Sequence, residues 1–171
     1  KEADAVWPFQ YDNPANVEIY GNLYNWYAVD DERGVCPEGY KVPSDTEFKE
    51  LETFLGMPQD EVDNENWRGE SLAIGSKLKD DILWDGSNES QFSAVPSGWY
   101  NNHTGIGGSQ DFGSMAYIWT DTEESPWWAD GGSVGVLRRM DTSQNGIYSW
   151  YSVLQQGHSI RCLSDELQNA T

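Results

Sequence analysis

An α+β domain is what this chain predicts, and three observations carry the prediction. A helix with complete start and stop signals opens at Ser44, short β-like runs broken by Gly, Ser, Asn and Asp fill residues 82–163, and the only two cysteines, Cys36 and Cys162, stand far apart. Helices gathered ahead of many short strands indicate segregated helical and sheet layers, not alternating βαβ units. At 171 residues the chain suits one domain with a substantial core.

Taken in order, residues 1–20 are polar and interrupted by Pro8 and Pro14, so they read as an irregular N-terminal extension. The domain proper is expected over 21–165, with 166–171 as a tail. Residues 21–29 read as a strand or tight aromatic turn that plants Trp26 in the core. Ser44 caps the main helix and Glu47 completes a capping box. Phe48, Leu51 and Leu55 form its apolar stripe, and Gly56 ends it. A second helix is expected over Ser71–Lys79 with Leu72 and Leu78 inward. From there on the pattern is two helices packed on short antiparallel strands, joined by long ordered loops of the kind that usually carry function. No internal repeat and no linker divides the chain.

Composition excludes several classes. The net charge of −19, from 29 acidic and 10 basic residues, argues against nucleic acid and against an anionic membrane surface. It fits solubility in a salty medium, cation binding or a basic partner. Nine Trp and nine Tyr rule out a disordered chain. No apolar run is long enough to span a membrane, so no membrane insertion is expected. No signal peptide is visible, and a start at Lys1 suggests a processed or trimmed N-terminus. Sequons stand at Asn88, Asn102 and Asn169. The two cysteines belong to no Cys-x-x-Cys or Cys/His cluster, which leaves two readings: one long-range disulfide or two buried free thiols. The disulfide is the more economical in an extracellular setting and would stabilise by roughly 4–5 kcal/mol, less any strain.

Catalysis finds little to stand on, and no enzyme is expected. His103 follows Asn101 and Asn102 in a Gly-rich loop. With Ser109 and Asp111 it makes an imaginable hydrolase set, but a Gly-x-Ser-x-Gly turn is absent. His158 reads as a half-buried strand residue. No cofactor is required. The densest oxygen-ligand cluster is Asp80, Asp81, Asp85, Asn88 and Glu89 around Gly86, with Asp81, Asp85, Asn88 and Glu89 as the candidate calcium ligands. Its spacing is not that of an EF-hand, and a solvated acidic loop is the favoured reading of the cluster. Asp30-Asp31-Glu32 reads as a plain turn.

The remaining signal is aromatic and polar. Trp99-Tyr100, Tyr117-Ile118-Trp119, Trp127-Trp128 and Tyr148-Ser149-Trp150-Tyr151 sit among Asn, Asp, Ser and Gln. A core absorbs about half such rings, and strand alternation turns the others outward, where Tyr and Trp give large contact area at small entropic cost. The candidate ligand-binding residues are therefore Tyr100, Asn102, His103, Tyr117, Trp127, Trp128, Tyr148 and Trp150. Stacking faces with polar edges suit a glycan or a protein ligand alike.

Five segments in fixed order carry a resemblance: Tyr24–Val29, Cys36–Ser44, Lys77-Leu78-Lys79, Asn88–Pro96 and Gly157–Cys162. Together, over about residues 20–165, they resemble the Fibrobacter succinogenes major paralogous domain, a family of secreted bacterial domains. The resemblance implies a C-type-lectin-like fold, an extracellular or surface-attached location, and core positions for Trp99 and Trp119. Such proteins look like frequent targets of retroelements that diversify a C-terminal region, here about Tyr117–Tyr151. The chain departs from the family pattern at Gln91 and Ser97, where Gly is usual, around Ile118–Thr122, and in lacking a recognisable N-terminal strand. The lectin-like fold has an enzymatic relative, the formylglycine-generating oxidases, which use two nearby cysteines; this chain has only Cys162 there. The leading expectation is thus a non-enzymatic binding module for a glycan or protein. The alternative is a structural subunit of a surface assembly that self-assembles through a partner strand.

Overall fold

The computed structural model describes residues 6–7, 15–102 and 108–164. The described parts of the N-terminal segment, expected to be irregular, are a strand and a helix. Strand β1 (Val6–Trp7) pairs antiparallel with β2 (Leu23–Tyr24), and helix α1 (Ala15–Tyr20) lies between them. A strand therefore does precede the aromatic segment. Asn25 then caps the short helix α2 (Trp26–Val29), accepting a bond from the Ala28 amide at 3.1 Å, and Trp26 is buried as expected.

A disulfide joins Cys36 to Cys162 across 126 residues of sequence. Beside it β3 (Tyr40–Lys41) pairs with β10 (Leu163–Ser164), so two segments distant in sequence are fastened by one covalent and one ladder contact. Next comes α3 (Asp45–Phe54) with the full capping box: Ser44 Oγ accepts from the Glu47 amide, and Glu47 Oε2 accepts from the Ser44 amide at 2.9 Å. Phe48 is buried from this element and Leu55 from its C-cap, while Leu51 is half-buried against the same core.

The stretch after α3 departs from the expectation. Helix α4 (Gln59–Val62) and strand β4 (Asn66–Arg68) intervene, and α5 spans only Ile74–Leu78. Ala73 holds a left-handed backbone with φ of 53°, which interrupts any helix begun at Ser71. Leu72 accordingly faces solvent, whereas Leu78 is buried as expected.

The second half supplies β5 (Trp99–Asn101) paired with β6 (Gly108–Gln110), then β7 (Met115–Glu124), β8 (Val134–Asp141) and β9 (Ile147–Val153). One antiparallel sheet runs in the order β4-β9-β8-β7. With helices concentrated before these strands, the chain is α+β with antiparallel sheets. Its inner face carries Ala116, Ile118, Met140 and Ile147, which pack with Phe48, Met57, Ile74 and Leu78 in the main core.

That inner face also carries charge. Arg68 and Arg138 converge on Glu52 at 2.5 and 2.6 Å, all three side chains being at most 1% exposed, and Arg138 reaches Asp45 at 2.7 Å. Glu52 lies one turn beyond Phe48, on the same stripe of α3. Elsewhere Lys79 donates to the carbonyls of Asp141 and Gln144, and Lys77 to that of Leu55. The lysines of the Lys77–Lys79 segment thus bind loops to the core.

Part of the outer face is covered too. Trp119 and Leu137 pack under Trp26 of α2. Gly135 makes this approach feasible, because a Cβ there would lie 2.3 Å from Trp26 Cδ1 and 2.7 Å from Trp119 Cζ3. Among the described residues, no further helix packs on the rest of the outer face.

Candidate functional site

Pairing register assembles the open part of the outer face. Trp67 of β4 stands opposite Tyr148 of β9, Tyr148 opposite Arg139 of β8, and Arg139 opposite Tyr117 of β7. Directly opposed residues point to one face, so these four side chains form a row across all four strands. The Arg139 guanidinium lies 5.4 Å from the Trp67 ring centroid, 5.5 Å from that of Tyr148 and 5.8 Å from that of Tyr117. Asp141 accepts from it at 3.3 Å.

Along β9 the rings continue at nearly constant spacing. Centroids are 5.3 Å apart for Trp67 and Tyr148, and 5.7 Å for Tyr148–Trp150, Trp150–Tyr151 and Tyr151–Trp128. Trp128 belongs to the 3-10 turn Trp127–Ala129 that links β7 to β8. Pairing of β7 with β8 shifts register between Trp119 and Glu123, which reorients the strand end leading to that turn. The outcome is a run of five rings from β4 to the β7–β8 connection, in which Trp67, Tyr148 and Trp150 belong to the outer face and Tyr151, opposite Val136 in the register, alternates to the other side of β9. Its outer end is open: Trp127 is 91% exposed, Trp128 45% and Trp150 40%.

The inner end of the array borders a cleft of about 180 Å³ lined by Trp99, Tyr117, Arg139, Tyr148, Trp150 and His158, among others. Contrary to expectation His158 is fully buried, and its Nε2 pairs with Ser152 Oγ at 2.8 Å. Burial pulls the imidazole down to about 3, so it is neutral at any ordinary pH. Tyr117 stacks on it at 5.5 Å and Trp119 meets it edge-on at 4.4 Å. Burial also pushes the Tyr117 phenol well above its ordinary value, and its hydroxyl donates to Asp111. Trp99, expected in the core together with Trp119, is only half-buried and donates its indole N–H to Asp111 at 2.9 Å.

Four of the expected ligand residues are thus joined in one surface: Tyr148, Trp150 and Trp128 in the ring array, and Tyr117 across the sheet beside Arg139. Trp127 is exposed at the adjoining turn. Tyr100 lies on β5, where its backbone pairs with Gly157, and Asn102 is exposed at the end of that strand. His103 lies outside the described residues. Sequence reasoning missed Trp67 and Arg139. The Val134–Asp141 alternation held a signal for Arg139, since it places adjacent arginines on opposite faces.

The acidic cluster is arranged as a loop. Asp80 Oδ1 accepts from the Ile82 and Leu83 amides, Asn88 Oδ1 accepts from the Ser93 amide, and Asn88 Nδ2 donates to Ser93 Oγ. Asp81 and Asn88 approach at 3.4 Å. Among the described residues no three His, Cys, Asp or Glu side chains converge as a metal-binding group.

Charge is distributed unevenly over this molecule. Every basic side chain among the described residues has an internal partner: Arg33, Lys41, Lys49, Arg68, Arg138 and Arg139 bind carboxylates, and Lys77, Lys79 and Arg161 bind carbonyls. Residues 121–133, which bear the exposed tryptophans, contain Asp121, Glu123, Glu124 and Asp130 and no lysine or arginine.

No curated protein and no solved structure matches this chain. The family model described as the Fibrobacter succinogenes major domain matches residues 1–164, and so includes the N-terminal strand and helix that the sequence motifs left out. On that coverage, the chain belongs to the Fibrobacter succinogenes major domain family.

Proposed function

We propose that this chain is an extracellular, non-enzymatic binding module with a C-type-lectin-like fold, which docks a glycan or a protein on the run of aromatic rings that begins on its outer sheet face. The observation that carries the reading is the continuous run of rings from Trp67 to Trp128, open to solvent at its outer end. Large exposed rings backed by strands offer stacking surface at little entropic cost on binding. The Cys36–Cys162 bond suits an oxidising compartment. Among the described residues no helix is long and apolar enough to cross a membrane. The alternative, a subunit completed by a partner strand, loses its motive now that β1 stands beside β2.

The test is a screen of arrayed glycans and immobilised proteins, run with calcium and with chelator, for the wild type and for Trp127→Ala/Trp128→Ala. The reading expects a specific ligand whose binding the double substitution abolishes. Calcium dependence would assign the Asp81–Glu89 loop a metal. Binding that the double substitution leaves intact would contradict the assignment of the site.

A further inference from the structure

The outer end of the array has its own chemistry. Tyr151 Oη donates its one proton to Glu65 Oε1 at 2.6 Å, and the negative charge of Glu124 acts on the same hydroxyl. Burial, the bond to Glu65 and the charge of Glu124 push this phenol well above its ordinary value, so its proton stays in place. One phenol proton satisfies one carboxylate. Glu124 is left beside an oxygen, and every described basic side chain is engaged elsewhere. Trp128 meets the Tyr151 ring at 5.7 Å in an edge-to-face arrangement, and the Trp150 ring lies at the same distance in a tilted one.

We propose that the corner formed by Trp128, Trp150, Tyr151, Glu65 and Glu124 receives a cationic side chain, lysine or arginine, presented by a basic protein partner. The inference rests on the reading that ligand docks on the array, and it specifies the ligand. Ring faces attract a cation through their quadrupole, and two carboxylates supply acceptors for its N–H groups. Position along the array matters as well. At the inner end Arg139 already fills the place among the rings, with Asp141 as its counterion. At the outer end rings and carboxylates are present and the cation is not part of the chain. The long-range field agrees: a net charge of −19, with the described basic groups turned to internal partners, draws a basic partner and repels an acidic one. A neutral glycan could use the carboxylates as acceptors for its hydroxyls, but it would leave their charge uncompensated.

The probe is a fluorescently labelled hexalysine peptide, with a Gly-Ser peptide of equal length as control, titrated at fixed ionic strength. Because any acidic protein attracts polylysine, two variants of equal net charge are compared. Glu65→Gln/Glu124→Gln alters the corner, whereas Glu38→Gln/Glu50→Gln alters exposed carboxylates outside the array. Corner neutralisation is expected to weaken hexalysine binding about tenfold and the control pair by less than about twofold. The Trp128 indole N–H resonance is expected to shift on titration in the wild type. Equal losses in the two variants would reduce the effect to net charge and overturn the inference, as would unaltered Trp128. If hexalysine fails in this way while Trp127→Ala/Trp128→Ala still abolishes capture of a neutral glycan, the docking surface stands and its cationic specificity falls. If the tryptophan double variant binds every ligand as the wild type does, the docking surface falls as well.

Discussion

Strand alternation sends Arg138 and Arg139 to opposite faces of one sheet, and the two guanidiniums meet opposite surroundings. Arg138 is wholly buried and shares Glu52 with Arg68, with Asp45 as a further partner. Arg139 stands among aromatic rings, its side chain 28% exposed, with one carboxylate at 3.3 Å. The inner charges are dehydrated and compensated, so removing one strands the others in a low dielectric. The outer charge keeps contact with water, which replaces any partner it loses. The inner face therefore fixes how α3 sits on the sheet, and the part of the outer face that α2 leaves uncovered carries the proposed docking surface.

Paired substitutions probe this contrast most strongly. Arg138→Met leaves Glu52 and Asp45 each short of a partner and is expected to cost about 3–5 kcal/mol in urea unfolding. Arg139→Met, one residue away, is expected to cost less than about 1 kcal/mol. Comparable costs would erase the distinction between the faces.

The buried boundary of the outer face gives the next effect. His158 titrates near 3 in the fold, against an ordinary value near 6.5 when unfolded. The unfolded chain therefore binds the extra proton between these values, so stability is intact above pH 6.5 and is lost as pH falls toward 3. About 2 kcal/mol should disappear between pH 7 and pH 5, read from unfolding midpoints. His158→Gln should flatten that slope, and an equally steep slope in the variant would place the dependence elsewhere. Where the outer face is covered, Gly135→Ala drives a Cβ into Trp26 and Trp119 and is expected to cost about 1–3 kcal/mol.

Legibility in the sequence followed the range of the interactions. Ser44 and Glu47 announce the start of α3 because a capping box is complete within four residues. The Cys36–Cys162 bond was readable because the chain offers its two cysteines no other partner. The early end of α5 was not readable, since the left-handed backbone at Ala73 has no marker such as Gly. Strand β4 is three residues long and gains its identity only by pairing with β9. Tyr148, Trp150 and Trp128 could be singled out as surface rings, but register alone brings Trp67 and Arg139 to them. Trp99 shows the reverse error: a position expected in the core sits at the rim of the cleft, held by Asp111. Glu52 was hidden as one more charge in an acidic helix, although its spacing from Phe48 placed it on the buried stripe.

The central claim is that the rings at the outer end of the array are surplus to the fold and held for a ligand. The most direct test needs no ligand: the urea unfolding midpoint of Trp127→Ala/Trp128→Ala beside that of the wild type. A ring as exposed as Trp127 and a half-exposed Trp128 should together cost less than about 1 kcal/mol. A loss of about 3 kcal/mol or more, the size expected when a core aromatic is truncated, would make them part of the scaffold and contradict the account.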